Sequence, residues 1–174
     1  MTAIAAIVRD GKAWVAADRQ TTTGYTKQSF GSKIVEKDGL VIAWTGYAAC
    51  AAAFRDRMTV PNVPEDPKNH DHWFRVQVPN AMKAAVKETG LGDDSEAMKN
   101  AGAGIIAWRD RIGKVGTFWT VFTPEHGVLA DGSGGEVALG ALYASQDKEP
   151  ETALRGAIEA ASLWSVGVGC AQRS

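Results

Sequence analysis

The sequence predicts an α+β fold in which two β-sheets pack between two layers of helices. The order of elements along the chain is strands, helices, strands, helices and a closing strand, which suits that arrangement better than a doubly wound parallel sheet. Asp10-Gly11 and Lys37-Asp38-Gly39 are hairpin signals between short apolar runs, so the early strands are expected to pair with their neighbours in antiparallel fashion. The 174 residues suffice for one buried core, no composition break asks for a second, and there is no short internal repeat. One domain over residues 1–174 is the expectation.

Ala3 to Val8 and Lys12 to Asp18, rich in Ala, Val and Ile, form the first expected hairpin. A polar, Thr-rich stretch from Arg19 to Ser32 follows as a connection, then Lys33 to Glu36 and Leu40 to Thr45 form the second hairpin. Gly46 ends the strand, and the alanine-dense Ala48 to Arg57 has good helix propensity. Val60 to His72, with Pro61, Pro64 and Pro67, reads as a loop; Asn80 then caps a helix running to about Thr89 and stopped by Gly90. Gly104 to Trp108 and Val115 to Thr123 are strand-like, and Val128 to Ala130 adds a short third strand. Glu136 to Ala144 and Glu151 to Ala161 are expected helices, and the apolar Leu163 to Cys170 suits a buried strand.

Composition excludes several function classes. Nineteen Lys plus Arg nearly cancel twenty Asp plus Glu, for a net charge of −1, so neither a nucleic-acid surface nor a polybasic membrane anchor is expected. The most apolar stretch, Leu40 to Phe54, is interrupted by Thr45-Gly46-Tyr47 and is shorter than the roughly 20 residues of a spanning helix. No membrane segment is expected. With no signal-peptide pattern before Thr2, the expected location is the cytoplasm. Cys50 and Cys170 lie far apart in no Cys-x-x-Cys arrangement and read as free core or near-core thiols. His70 and His72, in a proline-rich loop with no third ligand, read as surface polar residues rather than metal ligands.

Chemistry is suggested first by Thr2. A free α-amine has a pKa near 8, so a chain beginning at Thr2 would carry nucleophile and base on one residue. Threonine has a small side chain of the kind that permits removal of an initiator Met, so Thr2 can be exposed without a propeptide. Asp18 ends a strand, and Lys33 follows the polar stretch; on their own these read as a turn former and an exposed cation. Gly46 precedes a helix, and so does Gly132-Ser133-Gly134-Gly135, which lacks the Walker and Gly-x-Gly-x-x-Gly patterns of a phosphate loop.

In their order and spacing, Thr2 at a strand start, Ala16-Ala17-Asp18, Ser32-Lys33-Ile34, Thr45-Gly46-Tyr47 and Gly132-Ser133-Gly134-Gly135 resemble the proteasome β-subunit family, in particular the HslV-type peptidases. The resemblance is clearest over residues 2–54 and 131–169 and poor over 58–101. It implies the four-layer αββα sandwich of N-terminal nucleophile hydrolases and a threonine endopeptidase whose mature chain starts at Thr2. It makes Thr2 the nucleophile, Asp18 and Lys33 the charged pair beside it, Gly46 the oxyanion donor, and Ser133 the hydroxyl that bonds the terminal amine. Thr22 matches the residue whose backbone pairs with an extended substrate, and Tyr47 and Ala48 fall in the substrate pocket. Tyr47 departs from the usual second glycine, so its reading as a partly buried aromatic stays open beside the pocket role.

The resemblance further implies homo-oligomeric rings, a polypeptide substrate and an ATP-driven unfoldase as partner, and no cofactor beyond a monovalent cation that the Ser165 to Val168 backbone would hold. Ser165 stands where proteasome subunits carry Asp, and Val168 where they carry Ser; HslV-type peptidases also lack the acid. Those departures keep open the reading of an inactive ring or shell protein; a small-molecule amidase using the same nucleophile is a second alternative.

Overall fold

The computed structural model describes residues 2–23, 26–29, 32–91, 103–165 and 171–173. Strands β1 (Ile4–Arg9) and β2 (Lys12–Asp18) pair antiparallel from Ile4↔Ala17 to Arg9↔Lys12, turning through Asp10 and Gly11, both at positive φ. Strand β3 (Gln20–Thr23) pairs with β4 (Thr26–Ser29), so the polar stretch read as a connection contains a hairpin. Threonine favours strands without supplying the apolar alternation by which a half-buried strand is recognised.

The second expected hairpin forms from β5 (Ile34–Lys37) and β6 (Leu40–Trp44), with Lys33 just before the first strand. Helix α1 (Ala48–Asp56) follows. The proline-rich segment departs from expectation. Asp66 accepts from Lys68 N–H at 3.0 Å and Pro67 opens a 3-10 turn, Pro67–Asn69, that leads into α2 (His70–His72). His70 and His72 therefore lie on a helix, not in a loop. After a π-helical stretch, Trp73–Gln77, comes α3 (Val78–Val86), so Asn80 lies inside the helix rather than capping it. Phe74, Val78, Met82 and Val86, spaced by four, are all buried, which is the helical period that the prolines obscured. Gly90, at φ 78°, ends this run as expected.

Strands β7 (Gly104–Trp108) and β8 (Arg111–Val115) come next. The run read as a strand from Val115 to Thr123 is broken at Gly116 by a 3-10 turn, Thr117–Trp119, before the short β9 (Val121–Phe122). Phe118 and Trp119 both take φ 62°, and the turn buries Trp119 against Trp44, with stacked rings 5.7 Å apart. Strand β10 (Val128–Asp131) and helices α4 (Gly135–Ala144) and α5 (Pro150–Trp164) complete the body, with β11 (Ala171–Arg173) on the edge. Leu163 and Trp164, expected in a closing strand, are the exposed last residues of α5; residues 166–170, including Val168 and Cys170, lie outside the described residues.

One sheet has the order β10-β1-β2-β11 and the other β5-β6-β7-β8-β9, every pairing antiparallel. Alternation along the strands divides the core into three apolar clusters. Ala3, Ala5 and Ile7 of the first sheet pack against α4 and α5. Their neighbours Ile4 and Ala6 face Ala43, Ile105 and Ala107 of the second sheet. Ile42, Trp44 and Ile106 pack against α1 and α3. Cys50 is buried in this last cluster, as expected of a core thiol, and burial pushes its thiol pKa up.

Candidate active site

The polar residues singled out in the sequence gather at one end of the layer between the sheets. Thr2 leads into β1 and is 9% exposed. Its Oγ1 accepts from Lys33 Nζ at 2.9 Å, and Lys33 Nζ also donates to Asp18 Oδ1 at 2.8 Å. Asp18 is fully buried at the end of β2, where antiparallel pairing sets it against the chain entering β1: Asp18 N–H donates to Ala3 O at 2.9 Å, and Ala3 N–H returns a bond to Oδ1 at 2.8 Å. Gln20 N–H donates to Oδ2 at 3.0 Å. Two backbone donors and an ammonium thus compensate the desolvated carboxylate.

Lys33 is mostly withdrawn from water, its side chain 12% exposed. Burial lowers its pKa below the ordinary lysine value, while the hydrogen bond and the charge of Asp18 act in the opposite direction. The net direction is down. An ammonium bonded to a hydroxyl oxygen lowers the cost of removing the hydroxyl proton, so Thr2 Oγ1 is in the electrostatic setting of an activated nucleophile.

Ser133 meets Thr2 from the opposite strand. Thr2 N–H donates to Ser133 Oγ at 3.1 Å, and Ser133 Oγ–H donates to Thr2 O at 3.3 Å. Gly134 N–H also donates to Thr2 O, at 3.2 Å. The turn that makes this possible passes through Gly132 at φ 89°, where a Cβ would lie 2.2 Å from Thr2 O and 3.3 Å from Thr45 Cγ2. Only glycine fits between the two strands there.

Thr45, whose Cγ2 lies by the Gly132 turn, precedes Gly46. Thr45 is held by two bonds to Ala103 O at 2.8 Å, one from its N–H and one from its hydroxyl. Gly46 follows at φ 98°, exposed, with Tyr47 in extended conformation as the N-cap of α1 and Ala48 as its first residue. Tyr47 is 52% exposed, so the ring is half-buried. The backbone N–H groups at this helix start carry partial positive charge suited to an oxyanion.

The remaining candidates are more distant. The Gln20 bond to Asp18 ties the start of β3 to the cluster, and Thr22, two residues farther on, pairs with Lys27 of β4. Ser165 caps the end of α5 through its N–H to Ala161 O at 2.9 Å. His70 faces Pro64 O at 3.0 Å through Nε2 and packs edge-on against Trp108. Among the described residues no group of three or more His, Cys, Asp and Glu is placed to hold a metal, and no helix is long and apolar enough to cross a membrane. Two contributors were missed in the sequence: the Thr45 hydroxyl, whose partner lies 58 residues away, and Asp131, whose only signal was its place just before Gly132-Ser133.

No protein-family profile matches the chain, and no curated protein sequence matches it. Solved structures do. Thiobacillus denitrificans BPH superposes with a TM-score of 0.79 at 25% identity, over 98% of this chain and 95% of that one. The same protein in complex with epoxomicin matches equally, with the same coverage. Eukaryotic HslV from Trypanosoma brucei superposes with a TM-score of 0.73 at 23% identity, over 99% of this chain and 97% of its own. The resemblance carried by Thr2, Asp18, Lys33, Gly46 and Ser133 thus extends to the whole fold, and the chain is a structural relative of the proteasome β-subunit and HslV-type peptidase family.

Proposed function

We propose that the chain is a threonine peptidase that uses Thr2 as an N-terminal nucleophile, within one domain of the four-layer αββα class. The observation that carries this reading is the chain of bonds from Asp18 through Lys33 to Thr2 Oγ1, with Ser133 on the Thr2 nitrogen. Removal of Met1 turns that nitrogen from an amide into an amine able to accept a proton.

In the first half-reaction Thr2 Oγ1 attacks the scissile carbonyl carbon, and its proton passes to the terminal amine, directly or across the Ser133 hydroxyl. Gly46 N–H donates to the developing oxyanion; losing such a donor typically raises the barrier by about 2.7 to 4 kcal/mol. The C–N bond then breaks, the leaving amine takes the proton, and an ester on Thr2 remains. Water hydrolyses the ester with the same amine as base, restoring the hydroxyl. Lys33, held charged by Asp18, stabilises the negative charge that builds on Oγ1.

A polypeptide substrate is supported by the family fold and by the binding of epoxomicin to the BPH neighbour. It would lie in extended form along the β3 backbone at Thr22, its side chain reaching Tyr47 and Ala48. The HslV likeness supports assembly of cytoplasmic homo-oligomeric rings served by an ATP-dependent unfoldase. A monovalent cation on the backbone near Ser165 to Val168 belongs to the same reading.

The test is intact mass of the purified protein together with turnover of fluorogenic peptides by wild type and Thr2→Ala. Loss of Met1, turnover by wild type and none by Thr2→Ala are expected. Retained Met1 without turnover would overturn the peptidase reading in favour of an inactive ring protein. A stable active monomer would instead favour a small-molecule amidase.

A further inference from the structure

Behind Ser133 lies a second ion pair that the proposed chemistry does not use. Asp131 ends β10 opposite Ile4 of β1, and its Oδ1 accepts from Lys114 Nζ of β8 at 3.1 Å. The bond joins the two sheets, since β10 belongs to the first and β8 to the second. Leu129, two residues earlier on the same face of β10, packs in the apolar layer between the sheets. Asp131 is 16% exposed, and its Oδ2 is buried with no hydrogen-bond partner among the described residues. An unsatisfied buried carboxylate oxygen is costly and calls for an explanation.

Its position supplies one. Asp131 immediately precedes the Gly132 turn that presents Ser133 to Thr2, and it lies opposite Ile4, two residues after Thr2. Asp131 is thus one strand across and two residues along from Thr2, a separation of roughly 7–8 Å in a regular pair. Resting on the reading of Thr2 as an N-terminal nucleophile, we propose that Asp131, anchored across the sheets by Lys114, is the positioning residue of the terminal amine. It fixes the Ser133 turn, and its half-satisfied carboxylate supplies negative charge beside the amine.

Among the described residues, the other charged groups near the amine are Lys33 and Asp18, which pair with each other. On the elements packed against β10, Glu136 is exposed in the first turn of α4, while Arg9 and Arg111 lie at the far ends of β1 and β8, bonded to Lys148 O and Asp71. Lys114 and Asp131 are therefore the pair whose charge can be altered without removing a group bonded to Thr2.

The two members of the pair act in opposite directions. Asp131→Asn removes negative charge, which lowers the amine pKa and moves the acidic limb of kcat/KM to lower pH. Lys114→Met leaves the carboxylate unopposed, which raises the amine pKa and moves the limb to higher pH. Shifts of about 0.5 to 1.5 pH units are expected for a charge at that spacing. Asp131→Glu should restore the wild-type profile in part, whereas a purely structural role would lower turnover at every pH without moving the limb. The amine is also read directly, by the pH dependence of acetic anhydride labelling of the Thr2 α-amine in wild type, Asp131→Asn and Lys114→Met, each folded by circular dichroism. Opposite shifts in the two variants support the proposal. A Met1-free protein whose amine titrates identically in all three, or shifts the same way in both variants, would overturn it and leave the Thr2 reading standing. Retained Met1 would overturn both.

Discussion

Replacing Asp18 by Asn preserves the size of the side chain and removes its charge, leaving Lys33 buried without its carboxylate. Asp18 accepts from Ala3 N–H and Lys33 Nζ on Oδ1 and from Gln20 N–H on Oδ2. The amide oxygen can keep one backbone bond, while the amide nitrogen must face a donor. Removing one partner of a buried pair typically costs about 3–5 kcal/mol, and the retained backbone bond puts Asp18→Asn near about 3 kcal/mol. Against a typical total of about 5–15 kcal/mol the variant still folds, so stability is measured by urea denaturation at fixed protein concentration. Adding Lys33→Met removes the buried cation as well. The double variant should recover much of the loss, with a coupling of about 1.5–3 kcal/mol. Costs that add to within about 0.5 kcal/mol would refute the reasoning.

The same variant has a pH signature with a defined sign. Burial already lowers the Lys33 pKa, and Asp18 is what opposes it. Without Asp18 the pKa falls further, so Lys33 loses its proton sooner and the alkaline limb of kcat/KM moves to lower pH. Stability follows linkage. A lysine whose folded pKa lies below its unfolded value binds fewer protons in the folded state, so stability rises with pH between the lowered value and the ordinary lysine value of 10.5. Wild type and Asp18→Asn share that rise above the wild-type value, so the deficit should shrink as pH climbs from the variant's lower Lys33 pKa to the wild-type one and stay level beyond it. A deficit constant with pH would mean that Lys33 is not the group left uncompensated.

Other substitutions probe the frame around the site. Gly132→Ala places a Cβ 2.2 Å from Thr2 O at φ 89°; it should cost about 1–3 kcal/mol, and peptide turnover should fall by at least about 100-fold as the Ser133 turn is displaced. Ala43→Val adds two methyl groups in the alanine-rich layer between the sheets; thermal denaturation should show a loss of about 1–3 kcal/mol, and kcat should fall with KM little changed because Lys33 and Thr2 come from opposite sheets. Trp119→Ala removes the ring stacked on Trp44 and set edge-on to Phe54, costing about 3–5 kcal/mol in a urea titration.

Much of the frame is legible in the amino-acid sequence because its signals are local. Asp10-Gly11 and Asp38-Gly39 mark hairpins through positive φ, and the alternation of Ile4, Ala6 against Ala3, Ala5 marks a strand buried on both faces. The departures arose where local and tertiary demands separate. The β3–β4 hairpin has strand-forming threonines without apolar alternation. The helix from His70 is disguised by prolines that serve at helix starts, Pro67 in the 3-10 turn and Pro79 in α3. The break at Thr117–Trp119 depends on where Trp119 finds a partner, namely Trp44, 75 positions earlier in the chain.

The polar cluster shows the same division more sharply. Thr2, Asp18 and Ser133 are carried on or beside β1, β2 and β10 of one sheet, whereas Lys33 and Thr45-Gly46 flank β5 and β6 of the other. Nothing in the spacing of Asp18 and Lys33 says that they meet, and without the family pattern Asp18 reads as a strand-end turn former and Lys33 as an exposed cation. They meet because small residues, Ala6, Ala17, Ala43 and Ala107, occupy the layer between the sheets and let the two backbones approach. The Lys33 bond to Thr2 thus measures the spacing of the sheets. A chain that keeps every polar residue of the cluster but enlarges those alanines would keep the motif and lose the geometry.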